Sequence, residues 1–167
     1  MKVYYWLREL AHVVCLLPVY GQGTDCGNYT EIWMDDGRKF LVRQRIKTVI
    51  KNIAAFMGVD LNQKDAAWGK LGRKHAFPLV LAPYMTLVPV FVRHPRGHDE
   101  GATGYIVLQK VEGYQEAEEA EFRSVILLDG GLRLPCLLSF RSLALRIVNG
   151  EQVHRLSQTL HEGASGK

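Results

Sequence analysis

Apolar positions first gather at Ala11–Tyr20 (AHVVCLLPVY), a short run carrying a proline near its end. It predicts a strand, preceded by one helical turn over Tyr4–Leu10. Tyr29–Met34 and Lys39–Val42 are β-prone runs on either side of Asp35-Asp36-Gly37. Asp-Gly between such runs predicts a hairpin, because the tight turn needs positive φ at its centre. Arg43–Met57 carries the clearest helical period: Ile46, Val49, Ile50, Ile53 and Met57 share one face, and Gly58 follows as a C-cap. Val59–Trp68 reads as a polar linker or short helix, and Leu79–Ala82 and Leu87–Val92 as buried strands beside prolines.

Gly104–Glu112 alternates as one strand, and Gly113–Glu121 reads as a solvent-facing loop or hairpin tip. Phe122–Leu128 and Leu132–Leu138 flank Asp129-Gly130-Gly131 as a second hairpin. Ser139–Val148 predicts a short helix capped by Ser139 and stopped by Asn149-Gly150, with a weaker helix over Gln152–Leu160. No repeat and no dividing linker interrupts the chain. The expectation is a single α+β domain over residues 1–160, an antiparallel-rich sheet with one main amphipathic basic helix, and a frayed tail over 161–167.

Composition adds little to this, but charge adds much. The chain has 167 residues, 47% hydrophobic and 23% charged, which suits a globular domain with its own core. No apolar run reaches the roughly 18 residues of a membrane span, and Arg8 and Glu9 break any signal-peptide pattern. Three cysteines without a CxxC read as reduced thiols of a cytoplasmic protein, with Cys15 and Cys136 as small buried hydrophobes. The net charge of +4 is unevenly spread. Arg38–Arg96 holds 12 Lys/Arg against Asp60 and Asp65, whereas Glu112–Glu121 holds five acids and no base. A basic block this rich in Ile, Val, Phe and Leu is folded rather than a tail. It forms either a solvated surface or a positive face for a polyanion.

The cations fall in three groups. Arg43, Lys47 and Lys51 are spaced at i, i+4 and i+8 along the predicted helix, with no acid to pair them. Lys70, Arg73, Lys74 and His75 cluster around Gly69 and Gly72. Arg93 and Arg96 sit in the loop Arg93-His94-Pro95-Arg96-Gly97-His98. Enzymatic readings are weaker. His94, His98 and Asp99 offer metal ligands for a hydrolase, but Pro95 and Gly97 oppose the helix that would converge them. Cys26 and Cys136 lack a nucleophile signature, and Gly69-Lys70-Leu71-Gly72 is not a P-loop. That GxxG resembles the clamp of KH domains, yet it leads into a β-prone run rather than a helix. Trp33, Phe40, Phe56, Trp68, Phe77, Tyr84 and Phe91 offer stacking surfaces, and core packing accounts for most of them.

The order of these elements resembles the ComK-like competence transcription factors of Gram-positive bacteria, over roughly residues 30–153. The motifs are Phe56-Met57-Gly58, Gly72-Arg73-Lys74, Pro78-Leu79-Val80, Val88-Pro89-Val90 with Arg93, Gly104-Tyr105-Ile106, Asp129-Gly130 and Ser139. Ala76-Phe77 stands where that family usually has a lysine, Val90 where a threonine is usual and Tyr105 where Trp is common. The resemblance implies a non-enzymatic activator of competence genes, without cofactor or metal, binding A/T-rich double-stranded DNA as a homo-oligomer. RNA polymerase and a Clp-protease adaptor are implied as further partners. Arg93 and Arg96 would enter the narrow, negative minor groove of A/T tracts. Lys47, Lys51, Lys70, Arg73 and Lys74 would hold phosphates, and Arg43 and His75 complete the expected DNA-binding set. The alternative is a degenerate member acting as a protein–protein module.

Overall fold

β1 (Val13–Tyr20) is apolar on both faces, and that sets the architecture. Val13 and Leu16 turn to one side, and Val14, Cys15 and Leu17 to the other, the alternation slipping once at a bulge between Val13 and Cys15. A strand of this kind needs cover on both faces. The computed structural model describes residues 5–20, 28–61, 77–92 and 103–165, and among these every strand pairing is antiparallel. The fold class is α+β, as the sequence predicts.

Six strands form the central sheet: β1, β2 (Asn28–Met34), β3 (Lys39–Val42), β4 (Leu79–Ala82), β5 (Met85–Phe91) and β6 (Thr103–Val107). Their order is β3-β2-β1-β6-β5-β4. Against one face lie a kinked 3-10 helix, Tyr5–His12, and α1 (Ile46–Met57), which bury Trp6, Leu10, Val49, Ile50 and Ile53 on Leu16, Ile32, Met85 and Leu87. Against the other lie a second sheet, β7-β8-β9 (Val111–Glu116, Ser124–Leu128, Leu132–Cys136), and α2 (Phe140–Ser165). Here Ile126, Leu128, Leu134, Leu143 and Ile147 pack with Val14, Trp33, Val88 and Ile106. Each fully buried side chain of this size contributes about 1.5–3 kcal/mol.

The predicted hairpins form where Asp-Gly stands. Gly37 takes φ 91°, and Gly130 and Gly131 take 85° and 72°, conformations that other residues adopt only with strain. A third hairpin joins β4 to β5 through Pro83-Tyr84, so β5 starts at Met85, ahead of the expected Leu87.

Several expectations fail for physical reasons, and the tip expected over Gly113–Glu121 is shorter because Gly113–Glu116 pair with β8 as part of β7. Gly104–Glu112 is not one strand, because β6 ends at Val107 and a 3-10 turn, Leu108–Lys110, carries the chain out of the first sheet into β7. The side chain of Gln109 makes this exit possible. Its Oε1 accepts the Thr86 backbone N–H at 2.9 Å, and its Nε2 donates to Thr86 Oγ1 at 3.0 Å. An amide side chain thus serves a backbone group of β5 where the chain leaves the sheet. Likewise Asn149-Gly150 does not stop the last helix. Ser139 Oγ accepts the Ser142 N–H at 3.1 Å as an N-cap, and α2 then runs unbroken through Gly150 to Ser165. Gly150 is buried on the sheet, where a Cβ would lie 2.6 Å from Val88 Cγ2. It is the point of closest approach between helix and strand.

The two sheets are tied at one end. Asp35 Oδ2 accepts from His12 Nδ1 at 3.1 Å and from Lys110 Nζ at 3.2 Å, and the Asp129 N–H donates to the Lys110 carbonyl at 2.9 Å. Gly130 presses so closely on the Asp35 carbonyl that a Cβ has no room. Partial desolvation works to raise the Asp35 pKa, but the His12 and Lys110 hydrogen bonds and charges outweigh it and hold the carboxyl below its ordinary value. The stability from this tie is therefore complete above the ordinary carboxylate range and is lost as pH falls through the depressed pKa.

Candidate nucleic-acid interface

At the end of the sheet opposite the Asp35 tie, several strands begin or end together. Val42, the last residue of β3, pairs with Thr30 of β2, and Thr30 with Pro18 of β1. Leu16 pairs with Tyr105 of β6, and Thr103, where β6 begins, pairs with Phe91, where β5 ends. β4 runs antiparallel to β5 and begins on this side, with Leu79 opposite Leu87. The exit of β3, the entry to β4 and the exit of β5 therefore share one end of the sheet.

Arg43 leaves β3 at this end, and Arg45 is the N-cap of α1. The corner between them is fixed from inside. Buried Thr30 donates through Oγ1 to the Gln44 carbonyl at 2.8 Å, and Asn52 Nδ2 donates to Gln44 Oε1 at 3.1 Å. Lys47 and Lys51 then project from the first two turns of the helix. Arg43, Arg45, Lys47 and Lys51 are all exposed, and none is paired with a carboxylate among the described residues. Arg43 stands before the helix rather than on it, so the three-residue stripe expected along α1 is two lysines preceded by a cationic corner.

The N-terminus of α1 adds to this potential. Arg45 makes no side-chain capping hydrogen bond, and the first turn contains no acid. The free N–H groups and positive dipole end are met by further positive charge, an arrangement that costs the isolated helix several tenths of a kcal/mol per cation. Other cations are already engaged. Arg38 pairs with Asp36 at 2.6 Å and Glu9 at 3.0 Å, and Lys39 Nζ lies 4.1 Å from the Trp33 ring centroid. Arg146 donates to the Pro89 carbonyl at 2.9 Å and stacks 4.9 Å from Phe91, with burial pulling its pKa down.

Of the predicted contact residues, Arg43, Lys47 and Lys51 come together at this corner. Lys70, Arg73, Lys74, His75, Arg93 and Arg96 lie outside the described residues, as do Cys26, Trp68, His94, His98 and Asp99. Arg45 is the residue that periodicity passes over, because it precedes the apolar stripe; its place just before Ile46 is the signal that would have found it. Trp33 is buried and Phe40 half-buried, in keeping with core packing. Phe56, Tyr84 and Phe91 are exposed instead. Cys15 and Cys136 are buried; desolvation pushes both thiols up, Cys15 well up.

The acids occupy the opposite layer. Glu112 and Glu116 stand on β7, and Glu118, Glu119 and Glu121 in the turn before β8. With Phe122, Arg133 and Pro135, three of them line an open groove of about 380 Å³. None pairs with a cation among the described residues. Unlike charges thus sit on the two outer layers, with the central sheet between them. No described group of three His, Cys, Asp or Glu could hold a metal, and no described helix is long and apolar enough to cross a membrane. Compared with profiles of protein families, with curated proteins and with solved structures, the chain matches none.

Proposed function

We propose that this protein binds double-stranded DNA through the cationic end of its central sheet and acts as a transcription regulator with a preference for A/T-rich sites. The observation that carries the reading is the set Arg43, Arg45, Lys47 and Lys51: four exposed cations that no described carboxylate pairs, at the sheet end where β4 begins and β5 ends. In sequence the basic residues 70–75 precede β4 and 93–96 follow β5, and the charge of that whole block is far from balanced. Such a surface is suited to phosphates, which give affinity and register. The A/T preference rests on the ComK-like order of motifs and on the attraction of Arg and Lys to narrow minor grooves. Activation of competence genes, a cytoplasmic location and partnership with RNA polymerase and a Clp-protease adaptor belong to the same reading.

Fluorescence anisotropy on two labelled duplexes, one with paired A/T boxes and one G/C-rich, tests it at low and moderate salt. The expected result is tighter binding to the A/T duplex that survives moderate salt. The triple variant Arg43→Gln/Lys47→Gln/Lys51→Gln should bind both duplexes more weakly, and each lost phosphate contact should flatten the log–log salt slope by about 0.9. Unchanged affinity in that variant, with the fold intact, would remove the corner from the interface.

A second reading, a module that acts through protein partners, is favoured by one feature: among its polar exposed residues α2 leaves Leu145 and Leu160 both more than 60% exposed.

A further inference from the structure

Gln109 does more than serve the backbone of β5. Its Oε1 faces the Thr86 N–H, which can only donate, so its Nε2 is a donor as well. That Nε2 donates to Thr86 Oγ1 at 3.0 Å and reaches the Pro83 carbonyl at 3.4 Å. Thr86 is fully buried, and its Oγ1 lies 3.1 Å from Nδ1 of His154 on α2. Gln109 Nε2 lies 3.4 Å from the same Nδ1. Two donors, the Thr86 hydroxyl and the Gln109 amide, therefore converge on one ring nitrogen. The arrangement closes only if Nδ1 accepts, which puts the ring's single proton on Nε2 and leaves the imidazole neutral.

His154 also stands where the seat of α2 ends. Leu143, Ile147, Gly150 and His154 are spaced i, i+4, i+7 and i+11 along one side of the helix, and Gly150 approaches Val88 and Leu108. Beyond Gly150 the cover thins, since among Glu151–Leu160 only Val153 is buried. Among the described residues His154 makes the last side-chain hydrogen bond from α2 to the sheet; Thr159 bonds the Arg155 carbonyl within the helix. Charged neighbours are occupied elsewhere. β4 and β5 contain no ionisable residue. Lys110 of the 3-10 turn bonds Asp35, Glu151 and Arg155 pair with each other at 3.8 Å, and the Tyr84 hydroxyl donates to Met57 Sδ at 3.8 Å. β7, which also packs on α2, carries Glu112, Tyr114 and Glu116; Tyr114 lies on Phe140 at the far end of the helix, and neither glutamate bonds His154.

We infer that Thr86, Gln109 and His154 form a proton-sensitive latch, which holds the part of α2 beyond Gly150 to the sheet while His154 is neutral and releases it when His154 is charged. Histidine changes charge between about pH 5 and 8. A proton on Nδ1 points an N–H at the Gln109 amide and takes away the acceptor of the Thr86 hydroxyl. Gln109 cannot turn to answer it, because the Thr86 backbone N–H fixes its Oε1. Thr86 Oγ1 can accept the new N–H only by leaving its own proton without a partner in a buried site. The latch is therefore complete above the range in which histidine titrates and is lost as pH falls through it. The Asp35 tie responds in the opposite sense, since a charged His12 keeps its bond to Asp35 and Lys110 keeps its own. One crossover turn thus carries a bond that mild acid breaks and a bond that it keeps, so α2 is released without parting the two sheets. The latch stands apart from the DNA-binding reading.

Nitrogen NMR of the histidine rings in the full chain tests the proton assignment on the wild type. At about pH 7.5 His154 should show a bare Nδ1 and a protonated Nε2. Hydrogen exchange tests the release. Corrected for intrinsic rates, the amides of residues 153–160 should exchange about tenfold faster at about pH 5.5 than at about pH 7.5, while those of Leu143–Ile147 keep their protection. His154→Asn sets an amide oxygen near the place of Nδ1, accepts the Thr86 hydroxyl and carries no charge at any pH. It should therefore keep the end of α2 protected at both pH values. A ring protonated on Nδ1 at neutral pH overturns the proposal. So does a wild type whose helix end is equally protected at both pH values, or an acid opening of the same size in His154→Asn.

Discussion

α1 buries Val49, Ile50 and Ile53 on one face of the central sheet, and α2 buries Leu143, Ile147 and Val153 over the other. Toward the sheet the two helices follow one rule. Away from it they differ in emphasis: α1 exposes Lys47 and Lys51 as well as Phe56, while α2 exposes Leu145, Val148, Leu156 and Leu160 among Asn149, Gln152, Arg155 and Thr159. Among the described residues no carboxylate pairs the cationic side of α1, and the apolar side of α2 stays open to solvent. An unpaired cation keeps its full attraction for a polyanion, whereas an uncovered leucine stripe has nothing to offer a phosphate and much to offer another apolar surface. The difference suits the two outer sides of the molecule to different partners.

The largest effects should come from the attachments that both helices share. Ile53→Ala in α1 and Leu143→Ala in α2 each remove a fully buried side chain. Each should cost about 2–5 kcal/mol in urea denaturation. Leu156→Ala, on the outward side of α2, should stay within about 0.5 kcal/mol for the dilute monomer. A large loss at Leu156 would mean that the outer stripe already packs within one chain, and the contrast between the helices would collapse.

Glycine sharpens the contrast at the next level. In an exposed helix interior Gly→Ala stabilises by about 1 kcal/mol. At Gly150 the new Cβ would meet Val88, so Gly150→Ala should instead destabilise, by about 1–3 kcal/mol, because the helix must lift from the sheet. Gly58, which closes α1, has φ 71°, and a Cβ there would meet nothing within 4 Å. Gly58→Ala should cost about 1 kcal/mol through the backbone alone. Thermal melts of the two variants separate a packing glycine from a conformational one.

The same contrast explains what the residues alone reveal. α1 is legible because its apolar positions form one stripe, with cations prominent on the rest. α2 reads as two helices because its apolar positions form two interleaved stripes, and because Gly150 has the composition of a helix stop while serving as a packing contact. Asp35-Asp36-Gly37 and Asp129-Gly130-Gly131 announce their hairpins through turn chemistry, whereas the break after β6 depends on Gln109 reaching Thr86 across 23 positions, which no local pattern records. The strand ends that converge near Arg43 are equally invisible, since their neighbourhood comes from the sheet order and not from spacing.

The smallest effect on stability carries the most information about the corner. Arg45 occupies an N-cap that favours Asp, Asn, Ser or Thr, in extended conformation with φ −65° and ψ 151°. Arg45→Asp would supply the missing acceptor for the first-turn N–H groups and place a carboxylate at the positive end of the helix dipole. The variant should gain about 0.5–1 kcal/mol in denaturation. The same change removes one cation and adds one anion where phosphates are expected, so duplex affinity should fall and its salt slope should flatten by about 1. Opposite signs on stability and binding would show that the arginine holds its place at the expense of the helix and to the benefit of the complex. A stabilised variant with unchanged DNA affinity would leave Arg45 as a solvated residue outside the interface, with the corner then resting on Arg43, Lys47 and Lys51.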